Sequence, residues 1–108
     1  MILDLNTFID QYFELKMLDG EVLKLKKPSQ AMLVRIMAYE QSMKKAEKNP
    51  QGVILALIDL LTDVLNNNAN GREFEKKFVE DTFDINMAMA VLRAYMDFVQ
   101  EVNSSPNS

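Results

Sequence analysis

The chain has 108 residues, enough for one domain around one core, and its 48% apolar and 26% charged side chains describe a folded globular protein rather than a disordered one. A net charge of −4 repels phosphate backbones, so nucleic acid is a poor partner. With no cysteine and no histidine, the chain lacks disulfides, thiolate nucleophiles, the common zinc sites and the side chain best suited to acid–base work at neutral pH.

Only three glycines and three prolines punctuate the sequence, which favours a few long elements over many short strands. The expected fold class is α+β, mainly α: an N-terminal β-hairpin followed by about four helices in a small bundle. A single domain is expected over residues 1–102, with the hairpin at 12–26, the helical body at 29–102 and a flexible tail at 103–108. The opening Met1-Ile2-Leu3-Asp4 shows no basic segment leading into an apolar run, so no secretory signal is expected. The stretch from Val53 to Leu65 contains Asp59 and Asp63 and falls short of the roughly 20 residues a membrane span needs. A cytoplasmic protein without membrane contact is expected.

In chain order, Asn6 or Thr7 is positioned to cap one helical turn carrying Phe8 and Ile9. From Tyr12 to Lys26, apolar and polar residues alternate around Asp19-Gly20, the signature of a hairpin. A two-residue loop would set Leu15 against Lys24 and Phe13 against Lys26, mixing the two faces. A three-residue loop, Leu18-Asp19-Gly20, pairs Leu15 with Leu23, Phe13 with Leu25 and Glu14 with Lys24 instead, sorting apolar from charged side chains. It also places Gly20 at the left-handed position of a turn with a G1 bulge, where the missing Cβ matters. Lys24, Lys26 and Lys27 read as a solvated strand edge offset by Glu14, Asp19 and Glu21.

Pro28-Ser29 ends the strand, and Ser29 is the expected N-cap of the next helix. Met32, Ile36, Tyr39 and Met43 recur at helical spacing there, widened by Leu33 and Met37. Gln41 to Lys48 is mostly polar, and Asn49-Pro50-Gln51-Gly52 reads as a break. The helix expected from about Val53 to Leu65 is apolar nearly all round, with Asp59, Thr62 and Asp63 on one narrow side and Leu57 at its centre. Asn66 to Gly71 is an ordinary polar loop. A short helix follows from about Arg72 to Asp81, carrying Phe74 and Phe78. Asp84 then caps a last helix, Ile85 to Val102, with Ile85, Met89, Leu92, Met96 and Val99 in one stripe beside Ala88 and Tyr95.

No catalytic or metal-ligating constellation assembles from these residues, and no cofactor or small-molecule substrate is expected. There is no glycine-rich phosphate loop. Asp59 and Asp63 share a helix face, and Glu80-Asp81 ends the third helix, but solvated edges of this kind are the rule. The expected protein is therefore not an enzyme.

Apolar surface is the informative feature. On the last helix, Val91, Phe98 and Val102 point away from the main stripe, and the polar strip is confined to Asn86, Arg93, Asp97 and Gln100, with Glu101 at its edge. Either the N-terminal segment and hairpin cover this excess, or another protein chain does. Met32, Met37, Met89 and Met96 fall on helical stripes and are expected in the core. Met17, Met43 and Met87, with Val91, Phe98 and Val102, are the candidate contact residues for a partner or a second copy, since methionine adapts to varied surfaces. The hairpin edge is a second candidate for association, with Lys24 and Lys26 blunting the outer edge where no strand is added.

The opening Leu3-Asp4-Leu5-Asn6-Thr7-Phe8, the hairpin Phe13-Glu14-Leu15-Lys16 with Asp19-Gly20 and Val22-Leu23-Lys24-Leu25, and Lys27-Pro28-Ser29 leading into a helix resemble the tail assembly chaperones of long-tailed phages of Gram-positive bacteria. The likeness covers the general layout of most of the chain. It implies a protein that binds the tape measure protein, with the tail tube protein as a second candidate partner, keeps its long apolar helices soluble, self-associates as a homo-oligomer, and is absent from the mature virion. In such families a longer frameshifted form is common, and the polar end Asn103 to Pro106 would suit its junction. The alternative is a small helical antitoxin or anti-repressor that neutralises a protein partner through the same kind of surface.

Overall fold

The computed structural model describes residues 2–5, 11–43 and 50–103, and for Met43, Pro50, Gln51, Val102 and Asn103 the backbone alone. The expected cap at Asn6 or Thr7, the stretch 44–49 and the tail beyond 103 lie outside the described residues. Among the described residues the chain forms an antiparallel hairpin, β1 (Tyr12–Lys16) and β2 (Val22–Lys26), then four helices: α1 (Gln30–Met43), α2 (Pro50–Asn66), α3 (Lys76–Thr82) and α4 (Ile85–Asn103). The fold is α+β and mainly α, as the pattern of the sequence predicts.

The hairpin takes the register that separates charge from apolar surface. Phe13 faces Leu25, Glu14 faces Lys24 and Leu15 faces Leu23. The Met17 N–H donates to the Glu21 carbonyl at 2.7 Å and the Gly20 N–H to the Met17 carbonyl at 2.9 Å, closing the three-residue loop. Gly20 sits at φ +94°, a conformation that a Cβ would strain. Leu23 and Leu25 are fully buried, with Phe13 and Leu15 half-buried beside them. One face of the hairpin is thus part of the core.

At the centre of that core lies α2. Leu57, Ile58, Leu60, Leu61, Val64 and Leu65 are all buried, because α2 packs against α1, α3, α4 and β2 together. Pro50 to Gly52, expected as part of a break, instead belong to the first turn of this helix, Pro50–Asn66. Proline suits a first turn, where its missing N–H would have had no partner and its φ is already helical. The cover fails at this end, where Ile54 and Leu55 remain exposed. Helices α1 and α4 are capped as their sequences suggest: Ser29 Oγ accepts from the Met32 N–H at 3.1 Å, and Asp84 Oδ1 from the Met87 N–H at 2.8 Å.

The loop after α2 departs furthest from expectation. Asn66 to Gly71 is a set of amide clamps rather than an ordinary polar loop. The Lys26 N–H donates to the Asn67 carbonyl, the Ala69 N–H donates to the Lys24 carbonyl, and the Asn70 side chain accepts from the Lys24 N–H and donates to the Val22 carbonyl, all within 3.1 Å. The segment lies along β2 like a third strand, bridging Leu25 to Asn68. The outer edge of β2 is therefore closed by the chain itself, which corrects the expectation that lysines alone blunt it.

The same amides explain why α3 starts at Lys76 and not near Arg72. Asn66 binds the N–H and carbonyl of Phe74, at 2.6 and 3.0 Å, and Asn68 binds those of Arg72, at 3.0 and 2.9 Å. Backbone groups held this way are not offered to a helix ladder. Of the two aromatic residues here, Phe74 is buried, while Phe78 stays exposed and stacks on it with ring centroids 5.6 Å apart.

The buried line of α4 is also rotated from the expected stripe. Ala88, Leu92, Tyr95 and Val99 are buried, whereas Met89 and Met96 are half-buried and Ile85 is 44% exposed. Tyr95 causes the rotation. Its phenol donates to the Lys26 carbonyl at 2.7 Å, and its ring meets Phe13 edge-on at 6.0 Å. The strip of Asn86, Arg93, Asp97, Gln100 and Glu101 faces solvent as expected. Among the described side chains of α1, Ile36 alone is fully buried. Met37, expected in the core, is 57% exposed, since α1 lies on the rim of α2 and turns Val34 and Met37 outward.

Candidate interaction surface

Two grooves run beside α4. The first, about 380 Å³, lies between α1 and α4; Ile36, Leu92, Met89 and Met96 supply its apolar lining, and Tyr39, Glu40, Arg93, Asp97 and Gln100 the rest. The rim carries both signs of charge. Tyr39 lines the groove with a phenol that burial raises above its ordinary range. Met89 and Met96, expected as core fillers, therefore present flexible thioether side chains at a concave surface.

The second groove, about 220 Å³, lies between the end of β1 and the start of α4, lined by Leu15, Met17 and Leu18 from the hairpin and by Phe83, Met87, Ala90 and Val91 from below. Three of the candidate contact residues, Met17, Met87 and Val91, are brought together here. Phe98 lies elsewhere on α4, half-buried between Phe13 and Tyr95 with ring centroids 5.8 and 6.0 Å away. The side chains of Met43 and Val102 lie outside the described residues.

Some charged side chains pair across elements of the chain. Lys76 lies 2.6 Å from Asp59, Arg35 pairs with Asp63, and Arg72 with Glu21. The hydrogen bond to Asp59 is the main cause that raises the Lys76 ammonium above its usual range. Each carboxylate of the shared face on α2 thus meets its own cation from a different element. No cluster of metal-ligating side chains occurs among the described residues, and no described helix is long and apolar enough to cross a membrane.

The α1–α4 groove was hidden in the sequence because its residues occupy helical stripes, which look the same whether a neighbour covers them or not. One signal pointed to it: two stripes that are both rich in methionine. The exposed pair Val34 and Met37 had a signal too, since Met32-Leu33-Val34 cannot all point inward on one helix. No protein-family model, curated protein or solved structure matches the chain.

Proposed function

We propose that this chain is a tail assembly chaperone of a long-tailed phage or prophage of Gram-positive bacteria. It binds the tape measure protein in the host cytoplasm, keeps its apolar helices soluble until the tail tube assembles around them, and is left out of the mature virion. The α1–α4 groove carries this reading. A helix laid in a groove needs an apolar floor and a polar rim that fixes its direction, and Ile36, Met89, Leu92 and Met96 beneath Glu40, Arg93 and Asp97 supply both. Methionine lets one groove accept successive segments of a long, varied helix. The motifs at Leu3–Phe8, the hairpin and Lys27–Ser29 support the same assignment through their likeness to that family.

The test is co-expression with a tape measure protein, sought as the product of a long coiled-coil gene neighbouring that of this chain. The chaperone reading expects that protein to move from the insoluble to the soluble fraction and to be co-purified. It also expects the double variant Met89→Glu, Met96→Glu to lose this effect while keeping its helical circular dichroism. A tape measure protein equally soluble with and without this chain would overturn the reading.

A further inference from the structure

The two edges of the hairpin are not equivalent. Along β2, the outward backbone groups of Val22, Lys24 and Lys26 are engaged by the 67–70 segment. Along β1, the matching outward groups belong to Tyr12, Glu14 and Lys16, because Phe13 and Leu15 turn theirs toward Leu25 and Leu23. No described segment pairs with that edge. An edge left unpaired by the described residues is a template for another strand.

We infer that the occupant is a second copy of this chain, paired antiparallel through β1 about a two-fold axis at Leu15. The side chains select both the occupant and the register. With the axis at Leu15, Glu14 of each copy lies opposite Lys16 of the other, twice over by symmetry. On the core-facing side, Leu15 meets Leu15 and Phe13 meets Met17. Moving the axis to Glu14 sets two carboxylates against each other, so the strand is self-complementary in the first register and self-repelling in the second.

Antiparallel pairing keeps the core faces of both copies on one side of the joined sheet. Leu15 lies both on the axis and in the groove formed by Met17, Met87 and Val91, so the pairing brings the two apolar grooves together. The sheet then runs β2-β1-β1-β2, and its outer edges are the ones already closed by the asparagine loops. Assembly through this edge stops at two copies and leaves the α1–α4 groove free.

The absence of cysteine permits a direct test of the axis. In this register the two Leu15 Cα atoms form a non-hydrogen-bonded pair about 4.5 Å apart, within disulfide reach. Leu15→Cys should convert to a covalent dimer under mild oxidation at micromolar concentration. Phe13→Cys should not, because its counterpart lies four residues along the strand, roughly 13 Å away. Cross-linking at position 13 as fast as at 15, or none at 15, would overturn the inference.

A charge series tests the register without thiols. K16E places a carboxylate opposite Glu14 while leaving the Glu14–Lys24 pair of the hairpin intact, and should weaken dimerisation about tenfold in sedimentation experiments. The triple variant E14K/K16E/K24E carries the same net charge as K16E but restores every opposed pair, and should return to within about threefold of the parent. Equal weakening in both, with circular dichroism showing both folded, would reject the register. The inference rests on reading the chain as a self-associating binding protein. A monomer that still solubilises the tape measure protein would remove this pairing and leave the proposed function standing; a dimer that solubilises nothing would do the reverse.

Discussion

The phenol of Tyr95 and the carbonyl of Lys26 lie 2.7 Å apart, joining the middle of α4 to the last residue of β2. The same Lys26 gives its N–H to Asn67. One residue at the end of the hairpin is thus tied both to the last helix and to the loop that follows α2, so hairpin and bundle form a single packed unit.

This contact predicts an alkaline signature. Burial pushes the Tyr95 phenol up to about 12 from its ordinary 10, against a smaller lowering by Asn67. Between those values the unfolded chain loses the phenolic proton and the folded chain keeps it. Stability from this group is therefore intact below pH 10 and is lost as pH rises toward 12. Denaturant midpoints measured across that window should fall more steeply for the parent than for Tyr95→Phe. Parallel curves would show that Tyr95 ionises as freely in the folded state as in the unfolded one.

Leu57 is 1% exposed near the centre of α2, the helix that packs against the other three. Leu57→Ala removes buried methyl groups where rigid neighbours cannot close the cavity, and should cost about 2–5 kcal/mol in chemical denaturation. A loss below about 0.5 kcal/mol would mean that α2 is not the structural hub.

The hairpin was legible to the pairing of single residues, since only one loop length separates Phe13, Leu15, Leu23 and Leu25 from Glu14 and Lys24. The caps at Ser29 and Asp84 were legible because a cap acts within three residues. What stayed hidden depends on partners distant in sequence. The rotation of α4 follows from Lys26 and Phe13 drawing in Tyr95, and nothing in the period of α4 marks which of two adjacent stripes the hairpin will cover. The asparagine loop was hidden for the same reason: amide side chains read as solvated until the backbone they bind is known. Of the candidate surface, Met17, Met87 and Val91 could be named as contact residues, but their convergence in one groove required the fold.

Asn68 gives the sharpest test of that loop. It is buried, and its side chain donates to the carbonyls of Leu65 and Arg72 and accepts from the N–H groups of Asn70 and Arg72. Asn68→Ala leaves those backbone groups without partners and should cost about 2–4 kcal/mol. Asn68→Asp should be at least as harmful, because a carboxylate cannot donate to the two carbonyls. Amide exchange of Lys24 and Lys26 should quicken in both variants. Unchanged exchange there would mean that the loop does not hold the strand.

Phe98 links the hairpin to α4 through rings rather than hydrogen bonds. Its ring lies 5.8 Å from Phe13 and 6.0 Å from Tyr95, and the Phe13 ring meets Tyr95 edge-on, so the three form a closed triangle over the helix. Aromatic pairs at such distances contribute about 0.5–1.5 kcal/mol beyond the area they bury. A double-mutant cycle between Phe13→Leu and Phe98→Leu should therefore return a coupling of that size, with leucine preserving apolar volume and removing only the ring contact. A coupling near zero would mean that Phe98 packs as bulk rather than as a ring partner, leaving its apolar face for another chain. A coupling in the expected range would place part of that face in service of the hairpin, and would single out Met17, Met87 and Val91 as the freer contact surface.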